Sequence, residues 1–565
     1  MRNEVLTTTR GARRMALRPN VAYAVMLCAA ALSVDDANAV EVPTGNADLK
    51  LRWDTTVKYS NAFRLKPVDG ALVGPAQANL DDGDRNFSKR GLISNRLDLF
   101  SEADVVYQEK IGARVSAAAW YDSIYNRGNH NDSPATVNSL SVPAGEFTHA
   151  TRDLMGRKAE LLDAFVFGRA DFGDMSGSLR LGRHAQLWGE TLFFGGNGIA
   201  GGMAPIDMIK LLSVPSSQFK EIIRPVNQVS GQLQVRPDLS IGAYYQLEWE
   251  SNRIPASGSY GSFSDVFGDG SERLFWATGS QFAHGPDIKA RNSGQYGAQL
   301  RYRPNVVDAE FGLYAIRYHQ KDFSLYMRPY AGPAFFGSQG SYGDQVGSYA
   351  LAYHEGIRAY GASVSTAVGD ANVAVEGSMR DNTPLVNAGV FALAPNADNR
   401  SNPAYPVGRS AHLNASMVLL LSPSALWQGG SVLAEVGWNR LLSVTSNPQA
   451  VDPNATRDAW GFRLLMAPTY FQVLPGLDLS VPIGLGFNPK GRSSVVTLFN
   501  GGVDKGGDYS IGISGEYLKK YKFAITYTGY IGARGAVLAN TNDRYSFRQY
   551  YKDRDFLSAS IQASF

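Results

Sequence analysis

The sequence predicts an all-β protein, a transmembrane antiparallel β-barrel of about 18 strands, with 16 as the alternative count. Three observations predict this fold. Segments of about ten residues alternate apolar and polar side chains, which is the period of a strand with two unlike faces. Short and long connections alternate between these segments, and the last segment ends on an aromatic residue. No segment has eighteen consecutive apolar residues, so membrane-spanning helices are not predicted.

Residues 1–39 have the organisation of a cleaved secretory signal peptide. Four arginines lie in residues 10–18, residues 21–34 form an apolar run too short for a comfortable membrane span, and residues 37–39 read small-x-small. We therefore expect export to the periplasm and a single outer-membrane barrel domain over residues 40–565. The one cysteine, Cys28, lies in the removed segment, so disulfides and thiol chemistry are not expected.

The composition narrows the class of protein further. The formal net charge is +3, and the predicted signal peptide removes five arginines and three acids, which leaves a nearly neutral chain. This balance argues against a nucleic-acid partner, which would require a basic surface. The hydrophobic content is 44% while the mean hydropathy is −0.19, as expected when only every second residue of a strand meets lipid.

The predicted strands are joined alternately by long polar loops and by tight turns that carry Gly, Pro, Asp, Asn or a charged cluster. Outer-membrane barrels have this asymmetry between their two ends, whereas a soluble sandwich has no reason to sort its loops. Both chain termini then fall on the short-turn side. The predicted strands are 49–62, 95–106, 111–125, 159–168, 176–184, 228–235, 239–250, 293–303, 309–320, 357–368, 372–380, 409–421, 431–440, 460–471, 477–485, 509–517, 522–533 and 556–565.

The last ten residues are predicted to close the barrel. Apolar and polar side chains alternate from Leu557 to Phe565, and no polar tail follows. In a barrel this strand pairs with the first strand and removes the open edge. A final strand ending in Phe resembles the signal by which the barrel assembly machinery recognises outer-membrane proteins, which implies that machinery as a partner of Phe565. The alternative is the edge strand of a soluble sandwich.

The polar faces of the strands are assigned to the lumen, because a cation at the lipid midplane costs about 2–4 kcal/mol. The apolar faces then contact outer-membrane lipid. Near strand ends, Trp249, Tyr517 and Tyr107 are expected in an interfacial aromatic belt. Purely structural pairing across the wall is the alternative role for the lumen charges. The predicted pore-lining residues are Arg180, Glu248, Gln299, Arg301 and Glu516.

The long loop Ala185–Arg224 differs from the others because apolar residues recur at helical spacing in two short segments separated by prolines. An apolar-faced helical loop is buried if it folds into the lumen as a constriction. A surface lid over the mouth or a subunit contact are the alternatives. Charge and pore width would then set selectivity. The predicted constriction residues are Asp207, Lys210, Phe219, Lys220, Glu221 and Arg224.

The loop is preceded by Gly182-Arg183-His184 and begins with a segment that contains Trp188-Gly189-Glu190. These and three further motifs resemble those of a large uncharacterised family of Gram-negative outer-membrane proteins, a domain of unknown function. The resemblance covers essentially the whole mature chain. It implies a β-barrel, a companion envelope protein and the uptake or export of apolar molecules such as lipids, esters or steroids. It supplies no binding residues, and members usually have Gln where this chain has His184. The motifs are Gly182-Arg183-His184, Trp188-Gly189-Glu190, Pro205-Ile206-Asp207, Lys220-Glu221 and Arg224-Pro225-Val226-Asn227.

No enzyme is predicted. The seven histidines form neither a His-x-Ser pair nor an HExxH motif, no GxSxG elbow is present, and no Gly-Lys pair marks a phosphate-binding loop, so neither a metal nor a cofactor is expected. Three functions remain open. They are a channel or transporter for small hydrophobic or amphipathic molecules, a general diffusion porin, and a non-conducting barrel of envelope biogenesis.

Overall fold

The computed structural model describes residues 40–215, 217, 219–276, 280–329, 344–388, 397–539 and 544–565. The predicted signal peptide lies outside them. Eighteen antiparallel strands form one closed barrel, in which each strand pairs with its neighbours in sequence. The strands are β1 Leu49–Arg64, β2 Gly91–Tyr107, β3 Ile111–Asp122, β4 Arg157–Phe172, β5 Met175–His184, β6 Val226–Arg236, β7 Leu239–Gln246, β8 Gln295–Tyr302, β9 Ala309–Tyr318, β10 Ile357–Val368, β11 Ala371–Pro384, β12 Val407–Leu420, β13 Gly429–Ser446, β14 Asp458–Leu474, β15 in two pieces (Leu477–Ser480 and Ile483–Gly491), β16 Gly507–Tyr517, β17 Tyr521–Ile531 and β18 Phe556–Ser564.

The barrel closes at its last strand, as the sequence predicts. β18 pairs with β17 on one side and with β1 on the other, from Thr56 opposite Ser564 to Arg64 opposite Phe556. Phe565 continues the ladder by exchanging two backbone hydrogen bonds with Thr55, of 2.7 and 2.9 Å. On the N-terminal side of Thr55, β1 pairs with a short strand, Val40–Val42, which occupies the edge that β18 leaves uncovered. The count of 18 strands and the antiparallel barrel are therefore confirmed.

The two faces of the wall differ as alternation predicts. On β7, the side chains of Ile241 and Tyr245 are 43% and 41% exposed on the outer face, whereas Tyr244 and Gln246 on the inner face are 4% and 2% exposed. Apolar groups outside and polar groups inside are the arrangement that lipid around the barrel requires. Trp249, which was predicted to lie in the interfacial aromatic belt, has a different position. β7 ends at Gln246, and Trp249 lies beyond it, buried against Tyr353 among loop side chains, because the chain turns inward there.

The helices are short and lie in the long loops. They include α1 Asp82–Arg85, α2 His149–Thr151, α3 Met208–Leu212 and α4 Phe219–Ile222, with single turns of 3-10 or π helix at Pro75–Gln77, Arg152–Gly156, Ile199–Gly202, Pro448–Ala450 and Phe499–Gly501. Among the residues described, no helix is long and apolar enough to cross a membrane. A four-stranded sheet joins two other loops, in the order Ser324–Pro329, Asp344–Ala352, Ser280–His284, Arg273–Phe275.

Buried ion pairs hold the first and last long loops together at the long-loop end of the barrel. The guanidinium of Arg554 donates to both carboxylate oxygens of Asp84, at 3.1 and 3.0 Å, and Arg64 contacts Asp84 at 3.0 Å and Asp553 at 2.8 Å. All four side chains are almost inaccessible to solvent. A buried charge is tolerated only when it is paired in this way, so the network specifies how these loops pack.

Candidate functional site in the barrel lumen

The loop between β5 and β6, residues 185–225, folds into the lumen. Its first half crosses to the wall formed by β8–β13, and its second half returns along β1–β4. Trp188 packs edge-on against Tyr244 of β7, with ring centroids 5.0 Å apart, and both are buried. The predicted inward fold is confirmed, and the surface lid is not observed.

Glu376 on the lumen face of β11 binds the loop backbone. One carboxylate oxygen accepts the N–H of Glu190 and the other accepts the N–H of Ile199, each at 2.7 Å. Between these contacts the chain comes very close to the wall. A Cβ atom at Gly189, whose φ is +99°, would lie 2.2 Å from the Glu376 carboxylate. Gly189 is therefore required both by its conformation and by the close approach.

Glu435 on β13 makes a second attachment. Its Oε2 atom accepts three consecutive backbone N–H groups, from Leu192, Phe193 and Phe194. The side chain is 1% exposed, so these donors satisfy a charge that has left bulk water. Nearby, Arg380 of β11 donates to the carbonyls of Gly196 and Gly198, each at 2.9 Å. The first half of the loop is thus tied to the wall through its backbone.

The second half contains α3 and α4. Asp207 caps α3 by accepting the N–H groups of Ile209 and Lys210, both at 3.0 Å. Its other oxygen contacts Arg253 at 2.7 Å, and Arg253 also pairs with Glu160 on β4. These contacts join the loop, the β7–β8 connection and the wall, so α3 is fixed across the lumen.

The predicted constriction residues therefore have different roles. Lys210 is 3% exposed and lies 5.1 Å above the ring of Trp120, so it is packed rather than available to a solute. Asp207 and Glu221 are also buried, and Arg224 donates to the carbonyl of Ser251 at 2.9 Å. The side chain of Phe219 lies outside the described atoms. Lys220 has a side chain 40% exposed, 3.5 Å from Glu102 and 4.3 Å from the ring centroid of Phe100.

Four of the five predicted pore-lining residues lie on the inner face. Gln299 is buried against Gly242, Arg301 forms salt bridges with Glu190 at 3.2 Å and with Glu310, and Glu516 pairs with Lys522 at 3.2 Å. Arg180 lies 5.7 Å from the ring centroid of Phe165.

The fifth predicted residue, Glu248, is not in the lumen. The strand ends two residues before it, at Gln246, so the alternation on which its assignment depended no longer holds. Its carboxylate pairs with Arg183 at 2.8 Å and accepts the N–H of Asn227. Arg183 lies on the same outer face as the exposed Leu181. We therefore correct its position to the outer rim.

Two cavities flank the second half of the loop along the β1–β4 wall. The cavity at the long-loop end has a volume of about 50 Å³ and mostly apolar walls, and α3 contributes Ile209 and Leu212 to it. The other apolar lining residues include Ile93, Met155, Val214 and Tyr260. The cavity at the short-turn end has a volume of about 630 Å³. Its cationic lining residues are Lys50, Arg52, Arg114, Arg169 and Arg180, with Asp104 and the rings of Phe165 and Phe167 beside them.

Sequence reasoning missed Glu376 and Glu435, which hold the loop in place. Each is a single acid on the lumen face of a strand whose neighbouring inward residues are small or apolar, such as Ala374 and Ser378 beside Glu376. An acidic residue in such a position indicates a buried carboxylate that accepts hydrogen bonds. The donors are backbone N–H groups, which a sequence does not distinguish.

A group of three buried carboxylates, Asp81, Asp82 and Asp265, lies outside the lumen in the loop layer. Their oxygens are within 4.8 Å of one another, and no other group of three potential metal ligands this close occurs in the part of the chain described. Burial raises the pKa of Asp81 to about 6 and that of Asp82 to about 7, because the charged forms are costly away from water. Arg85 pairs with Asp81 at 2.8 Å.

Comparison with known proteins extends these observations. A protein-family model described only as a protein of unknown function matches residues 20–565. No curated protein matches the chain. Among solved structures, OccAB1 of Acinetobacter baumannii is 10% identical with a TM-score of 0.42, covering 94% of this chain and 99% of that one. OccD3 of Pseudomonas aeruginosa is 11% identical with a TM-score of 0.40 (94% and 93%), and Salmonella typhi OmpF in complex with daunomycin is 8% identical with a TM-score of 0.35 (93% and 100%).

Proposed function

The chain belongs to this family, DUF1302, and we propose that it is a porin-like outer-membrane channel for small amphipathic or hydrophobic molecules. The observation that carries the proposal is the cavity of about 630 Å³ at the short-turn end of the lumen. Its cations and phenylalanine rings, inside a closed barrel, suit a solute that has both an apolar body and a polar group. Lipids, esters or steroids are the solute classes that the family resemblance implies.

The attachment of the loop favours a selective channel over a general diffusion porin. Glu376 and Glu435 accept five backbone N–H groups from the loop between Glu190 and Ile199. A loop fixed by buried charges keeps one shape, so the passage beside it keeps one width and one set of contacts. A wide aqueous pore would need neither this loop nor an apolar cavity above it.

Several further properties belong to the same proposal. We propose that residues 1–39 are cleaved, that Phe565 engages the barrel assembly machinery, and that a companion envelope protein acts with the channel. The lumen positions of Arg180, Gln299, Arg301 and Glu516 support their role in lining the path. Catalysis, a metal and a cofactor play no part in the proposal.

Deletion of residues 187–223 tests the channel function. His184 pairs with Val226, so the remaining four residues, 185, 186, 224 and 225, form a short connection between paired strands. We expect single-channel conductance in planar bilayers to increase several-fold because the lumen is cleared. Heat-dependent mobility in gel electrophoresis serves as the control for folding. An intact barrel that conducts no ions in either form would exclude a channel and favour the non-conducting biogenesis barrel.

A further inference from the structure

The cavity at the short-turn end contains two arginines, Arg169 and Arg180, that form no salt bridge with a described residue. Three of its cations have carboxylate partners: Lys50 pairs with Glu109, Arg52 with Asp54 at 2.7 Å, and Arg114 with Asp104 at 2.6 and 2.8 Å. Arg169 and Arg180, by contrast, form no salt bridge with any residue that the structure describes, and Arg180 is the one that contacts an aromatic ring. Arg114 and Arg169 repel Arg180, and Asp163 attracts it more weakly than either of them repels it.

Arg180 is held against aromatic surface. Its guanidinium lies 5.7 Å from the ring centroid of Phe165, and Phe167 follows on the same inner face of β4, 6.2 Å from Phe165. At this distance the guanidinium makes a cation–π contact, and its N–H groups donate to no residue that the structure describes. The donors are therefore free to meet a solute in the cavity while the rings offer an apolar surface beside them.

The site lies on the route past the constriction. The exposed Lys220 of α4 contacts Glu102 at 3.5 Å, and Glu102 lies 3.7 Å from Arg114 at the edge of the cavity. A solute that passes α4 on this side thus moves from one cation to the next along the wall. A neutral apolar solute gains nothing from an unpaired guanidinium, and a cation is repelled by it.

We propose that Arg180, with Phe165 and Phe167, forms a binding subsite for amphipathic monoanions, specifically a carboxylate attached to an apolar body. The guanidinium matches a carboxylate with two parallel hydrogen bonds, and the rings contact the attached apolar group. Arg169 and Arg114 line the same cavity and add attraction for the anion. This inference rests on the proposed channel function, since it names the solute class that the passage recognises.

Three probes that share one ring test the subsite: benzoate, benzyl alcohol and benzylammonium. Binding to the full-length wild-type barrel in nanodiscs is measured by calorimetry, and block of single-channel current is measured in planar bilayers. We expect benzoate to bind and to block, and the other two probes to do so at least several times more weakly.

The variant Arg180→Gln is expected to weaken benzoate binding roughly fivefold or more, and Arg180→Lys is expected to retain part of it. Arg303→Gln is the matched control, because it removes the same charge at the same end of the barrel from a solvent-exposed pair with Asp308. Benzoate binding that is equal in wild type and Arg180→Gln, or is weakened equally by Arg303→Gln, overturns the subsite. A wild-type barrel that binds benzoate but carries no current supports the subsite and overturns the channel function.

Discussion

The carboxylate of Glu435 offers the sharpest perturbation of the lumen. In the variant Glu435→Ala, the three N–H groups of Leu192, Phe193 and Phe194 lose their acceptor inside a packed region. A buried donor without a partner costs about 1–3 kcal/mol. The loop escapes this cost by lifting into water, so the attached state is destabilised by at least about 3 kcal/mol. Since 1.4 kcal/mol is a factor of ten, the ratio of attached to detached loop falls by about two orders of magnitude.

The expected result is a wider and noisier channel. Single-channel recordings of Glu435→Ala should show a higher mean conductance with frequent transitions between levels, because Glu376 and Arg380 still hold part of the loop. Glu435→Gln keeps one acceptor oxygen and loses the charge, so its effect should be intermediate. Glu516→Ala is the matched control, since that acid faces the lumen and contacts Lys522 rather than the loop. Currents of Glu435→Ala indistinguishable from those of the wild type and of Glu516→Ala would refute the reasoning.

Three further predictions concern the loop layer and the seam. Burial raises the pKa of Asp265 well above its usual value, so folding takes up a proton and this layer gains stability as pH falls through that raised pKa toward the unfolded value. Asp265→Asn should therefore raise the melting temperature in EDTA more at pH 8 than at pH 5, and an equal change at both would contradict this. Arg554→Met leaves the buried Asp84 with one partner fewer and should lower the free energy of unfolding by about 3–5 kcal/mol. Faster proteolysis of the loops would show this loss, whereas proteolysis at the wild-type rate would exclude a structural role for the pair. Deleting Phe565 removes two hydrogen bonds to Thr55 and the terminal aromatic residue, so it should lower the amount of folded barrel in outer membranes. An amount equal to that of the wild type would mean that assembly does not require this residue.

Much of the wall was predictable because its physics is local. Lipid outside and polar groups inside impose a period of two on every strand. An alternation of polar and apolar residues, as in Ser240–Tyr245, therefore predicts both the strand and which of its faces points to the lumen. The two helical segments of the inward loop were predictable for a similar reason, because apolar residues at helical spacing need a surface to cover. The error at Glu248 and the buried position of Trp249 arose where the strand stopped earlier than the alternation did.

The sequence by itself determined the barrel, an approximate number of strands, the direction in which most strand faces point and the helical segments of the long loop, since all of these follow from the order of polar and apolar side chains along the chain. The tertiary structure decided that there are 18 strands and that the loop lies inside. Only the tertiary structure decided which charges are available. Lys210 and Arg180 are both cations near a predicted pore, but Lys210 is enclosed beside Trp120, while Arg180 faces a cavity and forms no salt bridge with a described residue. The reason is physical: whether a charge is paired depends on residues tens to hundreds of positions away, which are brought together only when the barrel closes and the loop crosses it.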